Sequence, residues 1–353
     1  MNALKLTLLI VCLASVGFSQ KIHKAKLTPA TPTEAQAALL AQASDKYKQK
    51  QTDDAIAMYL SVAKSCTECV DAMFGLGLAY YFKKDFDNAL INLEKATKYK
   101  GLHLPEVYRI LGNIADDQGD RKNALKIYGK ALKLAPDNEL LHYEKGVTLA
   151  RMGNYDEAKK SLKKSIEIRP AYVSPHYILA EVYIGTKYRV PAMLAAARVL
   201  TLESNTPRAK RANKIFRDVF AGGVEKGEKP NSINIFLNLD GPTDEGDFGS
   251  IELALGLTGA VNETEDKEKL SDEEKFISKI KSFIAVALET KMKRNFVKDQ
   301  YFSFLKGISD KAYVEQFSYL LMHQNGNKKA AAYLDANGSK MIEFVEWSKS
   351  FRP

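Results

Sequence analysis

The chain has 353 residues, 45% of them apolar, with 21 Gly and 11 Pro, which excludes a disordered chain and leaves room for two domains or one solenoid with an appendage. Its formal charge of +9 is the balance of 52 basic and 43 acidic side chains that alternate nearly everywhere, the pattern of solvated helical surfaces and not of a nucleic-acid footprint. The densest basic patch, Lys159, Lys160, Lys163 and Lys164, falls on one helix and leaves contact with an anionic envelope surface open.

The first twenty residues differ from the rest. Lys5 forms a thin positive start, Leu6 to Ala14 is apolar, and Gly17-Phe18-Ser19 sets small residues before Gln20. That pattern predicts a secretory signal peptide over 1–19, too short for a permanent span, and hence an exported protein, periplasmic or extracellular. Cys12 lies inside the apolar stretch, and Ile10-Val11 stand where a lipidation box wants small residues, so lipidation is not expected. No later run reaches 18 apolar residues, so no transmembrane segment is expected. Residues 20–35, punctuated by Pro29 and Pro32, read as a flexible leader.

An internal repeat follows. Small residues recur at Ala43, Gly77, Gly112, Gly146 and Ala180, with spacings of 34, 35, 34 and 34. A second series, Ala55, Ala89, Ala124, Ala158 and Ala192, runs 12 residues behind with the same spacings. Such a locked pair is what a two-helix solenoid needs, because the small residue on one helix lets its partner approach closely. The intervening residues carry a resemblance. Leu76-Gly77-Leu78-Ala79-Tyr80-Tyr81, Tyr155-Asp156-Glu157-Ala158 and the closing Ala131-Leu132-Lys133-Leu134-Ala135-Pro136 resemble the tetratricopeptide repeat family. The resemblance implies an all-α solenoid of about five helical pairs over 36–207, a non-catalytic scaffold that binds a protein or peptide. It further implies that the first helix of each pair lines a concave groove. Carried over position by position, the candidate lining is Tyr47, Phe74, Leu78, Tyr81, Phe82, Arg109, Asn113, Asp116, Asp117, Tyr143, Arg151, Tyr177 and Glu181. Arg109 and Asn113 resemble half of the family's carboxylate clamp, but Glu144 and Ser174 stand where its other half wants Asn and Lys.

The second helix of the fifth pair, Pro191 to Leu202, is apolar nearly all round and must be covered on every side. The mainly helical C-terminal domain expected over 208–353 is the candidate cover. There the pattern predicts a helix near Arg208–Ala221, a turn at Gly222-Gly223 with a linker to Pro230, and a short strand over Ser232–Leu239. An acidic loop, Asp240–Asp247, reads as solvated. Helices follow near Phe248–Leu257, from the Ser271–Glu274 capping box to about Lys293, and over 296–307, 310–323, 326–336 and 338–350. No family is assigned to this region.

Candidate chemistry is sparse. Cys66-Thr-Glu-Cys69 has no second Cys pair and only scattered His residues, so neither a zinc site nor any other metal or cofactor is expected. In an exported protein its reading is a disulfide that clips the turn between pairs one and two, with inert or redox-active thiols as the alternatives. Catalytic signatures such as H-E-x-x-H, G-x-S-x-G and Gly-rich phosphate loops are missing from the sequence. The rival reading is therefore an exported enzyme or thiol-redox factor working through Cys66/Cys69 or the C-terminal domain. Asn262-Glu263-Thr264 and Asn337-Gly338-Ser339 match glycosylation sequons.

Overall fold

A computed structural model describes residues 25–226, 233–236, 242–261 and 270–353. The signal-peptide stretch, Cys12, Asp240 and the Asn262 sequon lie outside these residues. The chain divides into two compact units, one ending at Gln118 and the other beginning at Gly119.

The first unit holds α1 (Glu34–Lys48), α2 (Thr52–Ser65), α3 (Val70–Phe82), α4 (Phe86–Ala96) and α5 (Leu104–Asp117). Thr33 opens α1 with a reciprocal capping box to Gln36, and the Asp85 side chain caps α4, so the first turns keep their amides satisfied. The helices pair in order, α1 on α2 and α3 on α4, with α3 lying beside both α1 and α5. Gly77 shows why the small residue recurs. A Cβ there would lie 2.4 Å from Cγ of Leu93, so α3 and α4 reach their separation only with glycine at that place. Residues 25–33 are not a loose leader. Lys26 and Leu27 donate to the Lys98 carbonyl, Lys100 donates to Leu27, and Ala30 donates to the carbonyl of Glu68. The carbonyls left unpaired beyond the ends of α2 and α4 thereby find partners in the incoming chain.

The second unit continues the pattern with α6 (Arg121–Leu134), α7 (Glu139–Arg151), α8 (Tyr155–Ile168), α9 (Val173–Gly185), α10 (Arg189–Leu202) and α11 (Pro207–Phe220). All five alanines of the second series are fully buried. The turn inside each pair repeats too: Lys50, Lys84, Gly119, Gly153 and Lys187 all take positive φ, 63°, 61°, 89°, 76° and 68°. Three lysines thus occupy the left-handed conformation that glycine adopts freely, each at a cost of about 1 kcal/mol or more. After α11 a two-stranded antiparallel ribbon joins β1 (Gly223–Lys226) to β2 (Ile233–Phe236), with Gly223 opposite Phe236. The strand expected over 232–239 is thus present at its centre, while the expected turn and linker after Gly222 begins instead as its partner strand. That partner has little pattern of its own and is fixed by backbone pairing across the ribbon.

Among the described residues six α-helices follow: α12 (Gly249–Val261), α13 (Asp272–Glu289), α14 (Ser303–Asp310), α15 (Val314–His323), α16 (Lys328–Ala336) and α17 (Gly338–Ser350). The Ser271–Glu274 capping box opens α13 as expected. The helix expected over 296–307 departs from regularity, because Val297–Phe302 is a π-helical turn leading into α14. One apolar core runs from Leu162 on α8 to Phe344 on α17, crossing the boundary expected at 207/208 without a break. Every residue of α10 from Val190 to Thr201 is buried. It packs against α9, α11, α15, α17 and the π-helical turn, which is the cover that its all-round apolar surface demands. One member is charged. Arg198 is 2% exposed; it donates to Oγ and the main-chain oxygen of Ser348, both at 2.6 Å, and lies 4.3 Å from the Phe304 ring centre. Burial lowers its guanidinium to about 9.

His176 ties α9 to the π-helical turn. Its Nε2 lies 2.9 Å from the Pro170 carbonyl, which can only accept, so Nδ1 accepts from the Tyr301 hydroxyl at 3.1 Å. The ring is therefore held neutral, and burial, with Arg198 nearby, lowers it to about 3. The sign follows. An unfolded histidine takes its proton near pH 6.5 while the folded one refuses it until about 3, so the stabilisation is complete above 6.5 and is lost as the pH falls. In urea unfolding, wild type should lose up to about 1.4 kcal/mol per pH unit relative to His176→Gln between pH 6.5 and 4. A pH-independent difference between the two would contradict a buried neutral ring.

Candidate functional site

In the first unit the candidate residues gather on the side formed by α1, α3 and α5. Phe82 ends α3 with 61% of its surface exposed. The Tyr47 ring of α1 meets it edge-on at 5.4 Å, and Tyr81 meets it from the same helix at 5.6 Å. Tyr81 in turn faces Phe86 at 6.2 Å, and its hydroxyl donates to Oδ2 of Asp117 on α5 at 3.2 Å. Lys84 donates to the same carboxylate at 3.1 Å while its ammonium lies 5.3 Å from the Tyr81 ring centre. This charged pair fixes the plane of Tyr81 beside the exposed Phe82 ring. Burial raises the Tyr47 phenol to about 12, so its hydroxyl stays a neutral donor at any ordinary pH.

Other candidates are placed differently. Phe74 stacks on His103 at 5.4 Å, and His103 Nε2 meets Asp71 at 2.9 Å, so this ring is engaged within the unit. Leu78 is half-buried between these groups along α3. Arg109 donates through Nε to Glu106 at 2.7 Å, and Asn113 is half-buried. Asp116 is 6% exposed and turned inward, whereas Asp117, one residue along the helix, is exposed and accepts from Tyr81. The expectation that both would face a ligand fails because successive helix positions are turned about 100° apart.

In the second unit Tyr143 on α7 meets Tyr172 edge-on at 5.3 Å. Tyr177 and Glu181 stand on α9, and Arg151 is exposed at the end of α7. Arg211 on α11 takes Glu181 in a two-pronged pair, 2.7 and 3.0 Å, so this acid is neutralised within the unit. Arg208 donates to Ser174 at 2.8 Å, bringing a guanidinium to the position where the family's clamp wants a lysine. Neither arginine was foreseen. The signal was available: Pro207 opens α11 34 residues after Val173 opens α9 (207 − 173), so α11 takes the place of a sixth first helix. It packs on α9 accordingly.

Two lysines of the basic patch on α8, Lys159 and Lys163, are engaged within the unit. Lys159 is only 4% exposed, donates to the Tyr188 hydroxyl at 2.9 Å, and sits 3.2 Å from Asp156 and 3.7 Å from Asp244. Lys163 pairs with Glu245, while Tyr188 donates to Asp244. Lys160 and Lys164 have Glu157 and Asp137, at 2.7 and 4.0 Å. Within the described part of the acidic loop, Glu245 is buried against Lys163, because opposite charges half removed from water attract more strongly than exposed ones, while Asp244 and Asp247 are exposed as expected.

Cys66 and Cys69 are joined as a disulfide across the α2–α3 turn, with Cα atoms 5.4 Å apart and Cys69 fully buried at the start of α3. No cluster of three metal-ligating side chains occurs among the described residues. Nor is any described helix long and apolar enough to cross a membrane.

Residues 40–101 and 117–170 each match a tetratricopeptide repeat model. The chain contains tetratricopeptide repeats. This repeat architecture serves interaction between proteins. A 119-residue stretch, 33% of the chain, is 31% identical to the BBSome complex member BBS4 of Bos taurus. A 73-residue stretch, 21% of the chain, is 30% identical to the TPR repeat-containing thioredoxin TTL4 of Arabidopsis thaliana. The chain spans 22% and 11% of those two proteins. Among solved structures, Pseudomonas aeruginosa PilF is similar in fold, with 17% identity, a TM-score of 0.49, and coverage of 53% of this chain and 85% of PilF.

Proposed function

We propose that the chain is an exported, non-catalytic scaffold of the cell envelope, periplasmic or extracellular, that holds a partner protein by an apolar side chain. The observation that carries this reading is the exposed Phe82 ring, held between Tyr47 and Tyr81 on α1 and α3. A large exposed aromatic surface is costly in water and becomes favourable when a partner covers it. The polar neighbours Lys84, Asp117 and Arg109 suit a segment with an apolar anchor flanked by charges of both signs. Tyr143, Tyr177 and Arg151 of the second unit offer a second, mixed surface of the same kind. The apolar run of residues 6–14, with the small residues before Gln20, supports export, and the Cys66–Cys69 disulfide suits an oxidising compartment.

A photo-crosslinking residue placed at position 82 and expressed in the native host tests both halves. The recovered chain should begin near Gln20 and should carry a crosslinked protein. A chain that keeps Met1 would contradict export, and a chain with no crosslinked protein would contradict the aromatic face.

A further inference from the structure

Lys279 on α13 is only 8% exposed, although an ammonium is among the last groups a folded chain buries without a counter-charge. Its Nζ donates to the main-chain carbonyl of Ala221 at 3.0 Å and lies 5.1 Å from the Phe220 ring centre. Neither neighbour carries a negative charge. Lys279 lines an open cleft of about 460 Å³ whose apolar lining includes Phe220, Phe276 and Met322. Arg217 from α11 and Asp272 from the start of α13 are the other charged groups lining it. None of these residues belongs to the repeat face described above.

We propose that this cleft is a carbonyl-binding site in which the Lys279 amine forms an imine with an aldehyde bearing an aromatic or other apolar body. The Nζ lone pair attacks the carbonyl carbon, the carbonyl electron pair moves to oxygen, and a proton passes from nitrogen to that oxygen. The carbinolamine then expels water and leaves the C=N bond. No oxidant or reductant is consumed. The apolar walls select the body of the aldehyde, and the buried nitrogen, held by one neutral acceptor, supplies the nucleophile. Burial lowers this amine to about 8. About one-quarter of it is then neutral at pH 7.5, against about one part in a thousand for an ordinary lysine. Exposed lysines paired with carboxylates are pushed the other way: Asp53 raises Lys83 and Glu157 raises Lys160.

The test is benzaldehyde at pH 7.5 on the folded full-length chain, with cyanoborohydride added only to trap imines, followed by peptide mapping. Lys279 should acquire the benzyl group at least tenfold faster than Lys83 or Lys160, and guanidinium denaturation should abolish the preference. Equal or slower labelling of Lys279, or a preference that survives denaturation, would overturn the assignment. Both arms use the wild-type chain, so neither depends on a variant that folds.

Discussion

A chain ended after Pro207 should aggregate, or bind a hydrophobic dye strongly, where the full chain does neither. The reason lies in α10. Met193, Leu194, Val199 and Leu200 are each no more than 3% exposed, and part of their cover is α11, α15, α17 and the π-helical turn. Burying one such side chain contributes about 1.5–3 kcal/mol. Uncovering four of them forfeits roughly 6–12 kcal/mol, comparable to the whole net stability of about 5–15 kcal/mol that a domain possesses. Arg198 would lose Ser348 but regain water, so its loss adds less than the apolar faces. Size-exclusion chromatography and dye fluorescence read the outcome. A monomeric, dye-silent truncation product would show that α10 does not depend on the C-terminal helices for its cover.

The repeats were legible because a two-helix solenoid imposes a local rule at every turn of its period. Ala43, Gly77, Gly146 and Ala180 must be small wherever two helices touch, and such a rule leaves a regular trace in the chain. The need for a cover on α10 was legible for a related reason, since a helix that is apolar on all sides states its own burial. What stayed hidden depends on contacts distant in sequence. Lys159 and Lys163 read as an outer face because Asp244 and Glu245, some 80 residues away, cannot be assigned to them from spacing. Arg198 interrupted an apolar helix with no hint that Ser348, 150 residues on, would receive it. The strand Gly223–Lys226 exists only through its pairing with Ile233–Phe236. Within the aromatic face, the residue types were legible but their exposure was not. Phe74 and Phe82 look equivalent in sequence, yet one stacks on His103 and the other stands open.

That difference decides where an anchor would bind, and with it the central claim. Covering the exposed Phe82 ring removes aromatic surface from water, worth up to about 3 kcal/mol for one well-buried side chain. Because tenfold in affinity is about 1.4 kcal/mol, replacing both rings should cost at least that factor. Arg109 is already paired with Glu106, so its replacement should act less and mainly at low salt. Lys130 on α6 is exposed and outside the aromatic cluster, which makes Lys130→Ala a surface control. The direct measurement is the affinity of the crosslinked partner, once recovered, for wild type, Tyr81→Ala/Phe82→Ala and Lys130→Ala, with helical content checked for each. The double variant should bind at least tenfold more weakly while the control matches wild type. A double variant that binds like wild type would contradict the aromatic face as the working surface.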